Sequence, residues 1–182
     1  MVDIYKVKFT VLQQEILLFL YVNAGKSFNA LGLAKSLEVS QTAIAKALPS
    51  LEKEGLIKVE KDKVSGRLAI ELNRDNRRVL QIKRVENLRT LYESGLVDFL
   101  EKELAGATIV LFGSYSRGED TVDSDIDIAV VGRREKKINL NEFEKQLGRK
   151  IIINFYPSFK EIHKNLRENI FNGIVLVGGV EL

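Results

Sequence analysis

The sequence predicts an α+β chain made of two modules, and three observations support this fold class. Apolar residues recur at helical spacing up to Gly55 and then alternate with polar residues, so helices give way to a hairpin. A proline-free helical stretch follows over residues 74–94. Beyond it, an apolar run at 107–112 and an alternating run at 126–131 have the length of strands. The predicted parts are residues 1–73, a connector at 74–94, and residues 95–182.

Composition excludes several classes of protein. Hydrophobic residues at 45% and charged residues at 29% are typical of a globular chain. No apolar run approaches the ~20 residues of a membrane span, and the N-terminus lacks a signal-peptide core, so we expect a cytoplasmic protein without membrane contact. Cysteine is absent and His163 is the sole histidine, so any metal is expected to be Mg²⁺ or Mn²⁺ on oxygen ligands.

The first module begins with three predicted helices, each preceded by a capping residue. Thr10 precedes the first, with Gln13 in the capping-box position, while Asn29 and Ser40 precede the second and third. Gly55 follows the third helix, where a glycine commonly ends one. Two short helices joined by a tight turn predict a helix-turn-helix.

The third helix has one apolar and one polar face. Ile44, Leu48 and Leu51 share the apolar face. The opposite face carries Gln41, Thr42, Ala45, Lys46 and Pro49, and we expect it to be exposed. Pro49 removes a backbone hydrogen bond and costs ~3 kcal/mol inside a helix, which predicts a kink or an early end there.

A hairpin follows the three helices. Ile57 and Val59 alternate with polar residues, and so do Leu68, Ile70 and Leu72, across a turn that ends at Gly66. Its tip is basic, with Lys61, Lys63 and Arg67. Three helices with such a hairpin, and the stretch SLEVSQTAIAKALPSLEKEGLIKVEKD, resemble the winged helix family of transcription regulators.

That resemblance implies that residues 1–73 bind double-stranded DNA. Gln41, Thr42 and Lys46 would enter the major groove, and Lys61, Lys63 and Arg67 would contact phosphate or the minor groove. Family members commonly dimerise, so a homodimer is expected. A winged helix that binds only other proteins is the alternative.

The connector is predicted as a long helix interrupted near Ser94 and Gly95. It carries six basic and three acidic residues as far as Ser94: Arg74, Arg77, Arg78, Lys83, Arg84 and Arg89 against Asp75, Glu86 and Glu93. A solvated helix face is the interpretation we favour over one that contacts phosphate.

The second module places two carboxylates opposite a glycine turn. Asp125 and Asp127 are two residues apart at a strand, so they share a face at the spacing that suits a divalent cation. Gly113 ends the preceding strand and leaves room for a phosphate, and Ser114 offers a hydroxyl and an amide. A P-loop is excluded because Glu119 and Asp120 stand where Lys and Ser or Thr are required.

The motif G-S-Y-S-R-G followed by S-D-I-D-I resembles the signature of minimal nucleotidyltransferases of the DNA polymerase beta superfamily. The resemblance implies a small mixed sheet with flanking helices. It places Asp125 and Asp127 on Mg²⁺ as catalytic ligands, and an NTP, expected to be ATP, on the nucleotide-binding residues. These are Gly113, Ser114, Arg117 and Ser124, with Arg117 near the phosphates or organising the loop.

The same family has a third carboxylate on a later strand, and here this sequence departs from it. The corresponding strand, KIIINFYPS, contains no acid, and we expect Asn154 at that position. An amide can ligate a cation but cannot accept a proton as a base. His163 lies in a predicted helix, SFKEIHKNLRENI, as a surface or packing residue, and GIVLVGG predicts a buried strand.

Three functions remain open at this point. The first is a DNA-tethered, Mg²⁺-dependent transferase that moves a nucleoside monophosphate from an NTP to a hydroxyl. The resemblance suggests a protein acceptor, as in toxin–antitoxin modules. The second is a transcription regulator whose degenerate transferase domain binds a nucleotide without catalysis. A scaffold that binds only proteins is a third possibility.

Overall fold

A computed structural model describes residues 9–61, 66 and 68–180. The predicted wing residues Lys63 and Arg67 lie outside the described residues. The chain forms two compact units that meet in sequence between Val79 and Leu80. No helix in the described part of the chain is both long enough and apolar enough to cross a membrane.

The first unit contains three helices and a hairpin, as predicted. Its elements are α1 (Val11–Val22), α2 (Ala30–Ser36), α3 (Gln41–Lys53), β1 (Ile57–Lys61) and β2 (Leu68–Leu72). The two strands are antiparallel, with Ile57 opposite Leu72. Phe28 adds a bridge to Ile70 that the sequence did not predict, because a single paired residue shows no periodicity.

All three predicted helix caps are confirmed. Thr10 and Gln13 form the reciprocal capping box, in which Gln13 Oε1 accepts from the Thr10 amide at 3.0 Å. Asn29 Oδ1 accepts from the Gly32 amide at 2.8 Å, and Ser40 Oγ accepts from the Ala43 amide at 3.1 Å. Each cap satisfies an amide that a helix start leaves without an intrahelical partner.

Pro49 does not end α3, so of the predicted kink or early end the early end is wrong, and the kink stays a prediction. The helix continues for another turn to Lys53. Pro49 lacks the amide that would bond to the Ala45 carbonyl. Both residues are exposed, so water can hydrogen-bond to that carbonyl.

The core of the first unit is apolar. Ile16, Leu20, Leu33, Ile44 and Leu51 are fully buried, and each such side chain contributes about 1.5–3 kcal/mol by leaving water. Gln13 is a buried polar side chain of this unit, and its Nε2 donates to the Ala47 carbonyl at 3.2 Å and so links α1 to α3.

The second unit is a mixed sheet with helices. Its elements are α4 (Arg77–Glu93, which begins in the first unit), α5 (Leu96–Glu103), β3 (Thr108–Phe112), α6 (Gly113–Arg117), β4 (Ile126–Val131), α7 (Asn141–Leu147), β5 (Ile151–Tyr156), a 3₁₀ turn (Phe159–Glu161), α8 (Lys164–Phe171) and β6 (Ile174–Val177). The strand order is β5-β4-β3-β6, with β4 and β5 parallel and the other pairs antiparallel. The fold class is the predicted α+β.

Both faces of this sheet are covered, because side chains of β4 alternate between them. Ile126, Ile128 and Val130 pack with α5 residues such as Leu96 and Leu100. Ala129 and Val131 belong to the opposite core, together with Phe159 of the 3₁₀ turn, Ile162 after it and Ile170 of α8. Asp125 and Asp127 continue the alternation of Ala129 and Val131 toward the start of β4.

Three expectations for this unit need correction. The helix predicted around His163 is split, and His163 is an exposed residue that precedes α8. The last strand, β6, is a half-buried edge strand paired with β3 rather than a buried one. Lys83 on α4 is fully buried, although a solvated face was expected for the basic residues of this helix.

Candidate functional site

Gly113 brings the backbone against the Asp127 carboxylate. It has a φ of 75° at the junction of β3 and α6, a conformation that favours glycine. A Cβ at this position would overlap Asp127 Oδ2, so no other residue fits unless the carboxylate moves. The turn between β3 and α6 therefore lies in direct contact with one of the two predicted metal ligands.

The two aspartates lie close enough to interact. Asp125 is exposed just before β4, and Asp127 is half-buried on β4 opposite Phe112. Burial raises the pKa of Asp127, the charge of Asp125 raises it further, and the charge of Arg117 opposes both effects. A cation between the two carboxylates would relieve this repulsion.

The available ligands suit a divalent cation that shares its coordination with a phosphate. The described part of the chain contains no cluster of three or more histidines, cysteines or acids able to hold a metal ion. Asp125 and Asp127 offer hard oxygen ligands, and Mg²⁺ is typically held by one or two carboxylates together with substrate phosphates. The donor set therefore fits Mg²⁺ or Mn²⁺ bound with a nucleotide.

Arg117 is oriented by two partners. Its Nε donates to Glu119 Oε2 at 2.7 Å, and its Nη1 donates to Asn169 Oδ1 on α8 at 3.1 Å. The sequence offered no signal for Asn169, because it lies far along the chain on a helix without a motif. Arg117 thus carries positive charge near Asp127 and also connects α6 to α8.

Ser124 forms part of the turn that leads to Asp125. Its Oγ accepts from the Thr121 amide at 2.9 Å and lies 3.3 Å from the Thr121 hydroxyl. This side chain therefore shapes the turn. Its predicted contact with a nucleotide stays a prediction.

Asn154 is not the β5 residue beside Asp127. In the parallel register of β4 and β5, Asp127 is opposite Ile152 and Asn154 is opposite Ala129. Asn154 shares the sheet face of the aspartates but lies two residues further along β5. Ile152, with 42% of its surface exposed, occupies the place next to Asp127. The sequence could not distinguish the two because they have the same parity on one strand.

Asp120 is the centre of a buried polar cluster that the sequence analysis missed. It is paired with Lys83 from α4 and with Arg149, which precedes β5. Asn87 also donates to Asp120 Oδ1, at 2.7 Å. The cluster joins segments far apart in the chain, so no local pattern indicates it.

Gly118, the second glycine of the motif, is required by packing. Its φ is 73°, and a Cβ there would overlap the backbone of α4 at Leu80 and Arg84. The motif therefore combines Gly113, which contacts a candidate ligand, with Gly118, which contacts a helix.

The exposed face of α3 has the predicted composition. Gln41, Thr42, Ala45, Lys46 and Pro49 are all exposed, and Ile44, Leu48 and Leu51 are buried. Lys61, at the end of β1, is also exposed. The predicted helix-turn-helix is therefore present, and the polar face of α3 is exposed to solvent.

Comparisons with known proteins found similar solved structures and one matching family model. Solved structures similar to the chain include the adhesin competence repressor AdcR of Streptococcus pyogenes, with 25% identity, 57% of this chain and 72% of that chain covered, and a TM-score of 0.42. A mutant of ZitR from Lactococcus lactis has 20% identity and a TM-score of 0.41. The match covers 56% of this chain and 66% of that chain. The MepR chain in a complex of S. aureus MepR with DNA has 20% identity and a TM-score of 0.36. The match covers 52% of this chain and 81% of that chain.

No curated protein sequence matches the chain. Residues 93–177 match the sequence model of the nucleotidyltransferase domain family. The matched span runs from the end of α4 to the end of β6, so it contains the whole sheet, the glycine turn and both aspartates. The second unit thus carries the match to a nucleotidyltransferase domain.

Proposed function

We propose that this chain is a DNA-binding protein whose second unit binds a nucleoside triphosphate, with ATP the expected one, as its Mg²⁺ complex. One observation carries the nucleotide part: the glycine turn at Gly113 packs directly on the carboxylate of Asp127. The backbone of this turn thus lies beside a carboxylate that could ligate a cation, an arrangement suited to a phosphate that shares that cation. The nucleotidyltransferase match over residues 93–177 supports the same ligand class.

Each residue has a defined role in this proposal. Asp125 and Asp127 would hold Mg²⁺ or Mn²⁺, and the amides at Gly113 and Ser114 would donate to phosphate oxygens. Arg117 would add positive charge beside them, held in orientation by Glu119 and Asn169. The cation, when bound, would neutralise charge on the phosphates.

Nucleotide binding can be tested by titration calorimetry with each of the four NTPs, with Mg²⁺ or with EDTA. We expect binding that requires Mg²⁺ and that is lost in Asp125→Asn and Asp127→Asn. Asp123→Asn is the matched control, because Asp123 is an exposed aspartate of the same loop. Binding that is equally tight in EDTA, or unchanged in Asp127→Asn, would contradict the proposal.

Transfer of a nucleoside monophosphate is the second candidate function, and the family match favours it. The acceptor oxygen would form a bond to the α-phosphorus, the bond to the bridging oxygen would break, pyrophosphate would leave, and the hydroxyl proton would need an acceptor. Ile152 beside Asp127 cannot accept a proton. We therefore expect transfer by the unaltered chain to be slow.

Ile152→Asp would place a carboxylate at that position. We expect it to raise label transfer from a labelled NTP to macromolecules of a cell lysate by ~10²-fold to 10⁴-fold. Asn154→Asp is the comparison, because it adds the same acid on the same strand opposite Ala129. A gain from Asn154→Asp alone would show that Asn154 holds the catalytic position, and rapid transfer by the unaltered chain would show that no third acid is needed.

DNA binding is proposed for the exposed face of α3 and the hairpin. Fluorescence anisotropy of the full chain with duplex genomic fragments should give an affinity that falls steeply with salt. Lys46→Ala and Lys61→Ala should weaken binding to all sequences, whereas Gln41→Ala should change sequence preference. Lys102→Ala, an exposed lysine of the second unit, is the control for loss of charge. The absence of binding at low salt would rule out this part of the proposal.

A further inference from the structure

The cluster around Asp120 is unusually polar for a protein interior. The side chains of Lys83, Asp120 and Arg149 are exposed by only 1%, 0% and 5%. Asp120 Oδ1 contacts Lys83 Nζ, and Asp120 Oδ2 lies 3.1 Å from Arg149 Nη2. Apolar replacement of a buried ion pair is often neutral or even stabilising, so stability alone is a weak reason for such a group.

One side of the cluster holds the turn that presents Asp125. Arg149 Nη1 donates to the carbonyl of Thr121 and, at 3.1 Å, to the carbonyl of Ser124. Ser124 immediately precedes Asp125, so its carbonyl belongs to the peptide bond between the two residues. Arg149 therefore holds the backbone at Asp125, one of the two carboxylate residues.

The other side of the cluster holds the helix that presents Ser114. Asn87 Nδ2 donates to the Tyr115 carbonyl at 2.9 Å as well as to Asp120. Lys83 Nζ and Arg149 Cζ lie 5.9 and 5.7 Å from the centre of the Tyr115 ring, within range of a cation–π contact. Burial, and secondarily the charge of Asp120, raise the pKa of the Tyr115 hydroxyl, so this ring stays neutral.

The turn before Asp125 and helix α6 are therefore both hydrogen-bonded to the same buried polar cluster. We propose that Arg149, Asn87 and Lys83 are positioning residues of the nucleotide site. Asp120 links the three side chains, and Arg149 and Asn87 hold the Asp125 turn and helix α6 in the spacing that the Mg²⁺–nucleotide complex needs. This inference rests on the proposed nucleotide binding. It adds residues from α4 and from the segment before β5 to a site otherwise formed by the motif.

The test compares variants that keep the charge but change the geometry. A lysine at position 149 has one ammonium group, which cannot contact Asp120 and both loop carbonyls as the guanidinium does. Arg149→Lys should fold with a melting temperature close to that of the unaltered chain, yet bind Mg²⁺–ATP about tenfold more weakly, the loss expected for about one hydrogen bond. Arg134→Lys, at an exposed arginine beyond the other end of β4, is the matched control.

Two further measurements separate positioning from general stability. Hydrogen exchange should become faster at the amides of residues 121–127 in Arg149→Lys, while the interior amides of β3 stay protected. The electron paramagnetic resonance spectrum of Mn²⁺ bound with ATP should broaden, reporting a less defined site. If Arg149→Lys fails to fold, Asn87→Ala takes its place, because it removes the Tyr115 contact and leaves both ion pairs.

The outcomes are distinct. Unchanged Mg²⁺–ATP affinity in both Arg149→Lys and Asn87→Ala would overturn the positioning role. If the unaltered chain binds no Mg²⁺–ATP, the proposed function fails, and the hydrogen exchange at residues 121–127 still decides whether Arg149 holds the turn. Weaker binding with faster exchange confined to that turn would support the inference.

Discussion

The interiors of the two units differ in the kind of side chain they bury. Among the described residues, the first unit buries Gln13 as its polar side chain, surrounded by aliphatic residues. The second unit buries Lys83, Asn87, Ser116, Asp120 and Arg149. Both units also bury many apolar side chains, so the difference lies in the added polar cluster.

This difference follows from where each unit has its candidate surface. The residues proposed to contact DNA lie on one exposed helix face and one hairpin, and an apolar core suffices to hold these elements. The nucleotide site combines a turn, a short helix and a strand end, and their relative spacing matters to fractions of an ångström. Directional contacts fix such spacing better than apolar packing, which tolerates small shifts.

The largest loss of stability is expected when Asp120, the centre of the polar cluster, is removed. Asp120→Ala leaves Lys83 and Arg149 buried without their carboxylate, and loss of one partner of a buried pair typically costs about 3–5 kcal/mol. Chemical denaturation should show this loss in the transition of the second unit. Asp123→Ala, at an exposed aspartate nearby, should leave the free energy of unfolding almost unchanged. An equally small effect of Asp120→Ala would mean that water enters the cluster freely.

The corresponding change in the first unit should be smaller. Gln13→Ala removes the bond to the Ala47 carbonyl and half of the capping box, so we expect the unfolding free energy to fall by about 1–3 kcal/mol. Gln14→Ala is the control, because Gln14 is exposed on the same helix turn. A loss equal to that of Asp120→Ala would show that both interiors depend on polar contacts to the same degree.

The smallest expected change in stability is a gain, and it comes from Asp127→Asn. The pKa of Asp127 is raised in the folded chain, so protonation favours folding, and this contribution is lost as the pH rises from the ordinary aspartate range through the raised pKa. In EDTA at neutral pH, Asp127→Asn should therefore be slightly more stable than the unaltered chain, while losing Mg²⁺-dependent nucleotide binding. Thermal unfolding across pH 3 to 8 tests this, and a lower melting temperature of Asp127→Asn throughout would contradict it.

Local sequence signals predicted most of the fold. Capping residues, the switch from helical spacing to alternation after Gly55, and the glycine at the break between α4 and α5 each act within a few residues of chain. The early end of α3 was predicted wrongly from Pro49. The free-energy cost of a proline in a helix depends on whether the carbonyl four residues earlier, here that of Ala45, can bond to water, and only the folded structure shows this.

The candidate site was predictable only in part. The aspartates and Gly113 belong to one motif, and the structure brings them together as expected. Ile152 beside Asp127 depends on the register of two parallel strands, which the alternation within each strand leaves undetermined. The contacts of Asp120 with Lys83 and Arg149 are long-range ion pairs, and charged residues in a sequence are ordinarily assigned to the surface.

The packing of Gly118 on α4 has a consequence for where the second unit begins. The recognisable family sequence starts at residue 93, yet Leu80, Lys83, Arg84 and Asn87 lie before it. A fragment cut at the family boundary would leave Asp120 without two partners and Gly118 without its covering backbone. The span that matches the family model is therefore shorter than the compact unit that holds the candidate site, which begins at Leu80.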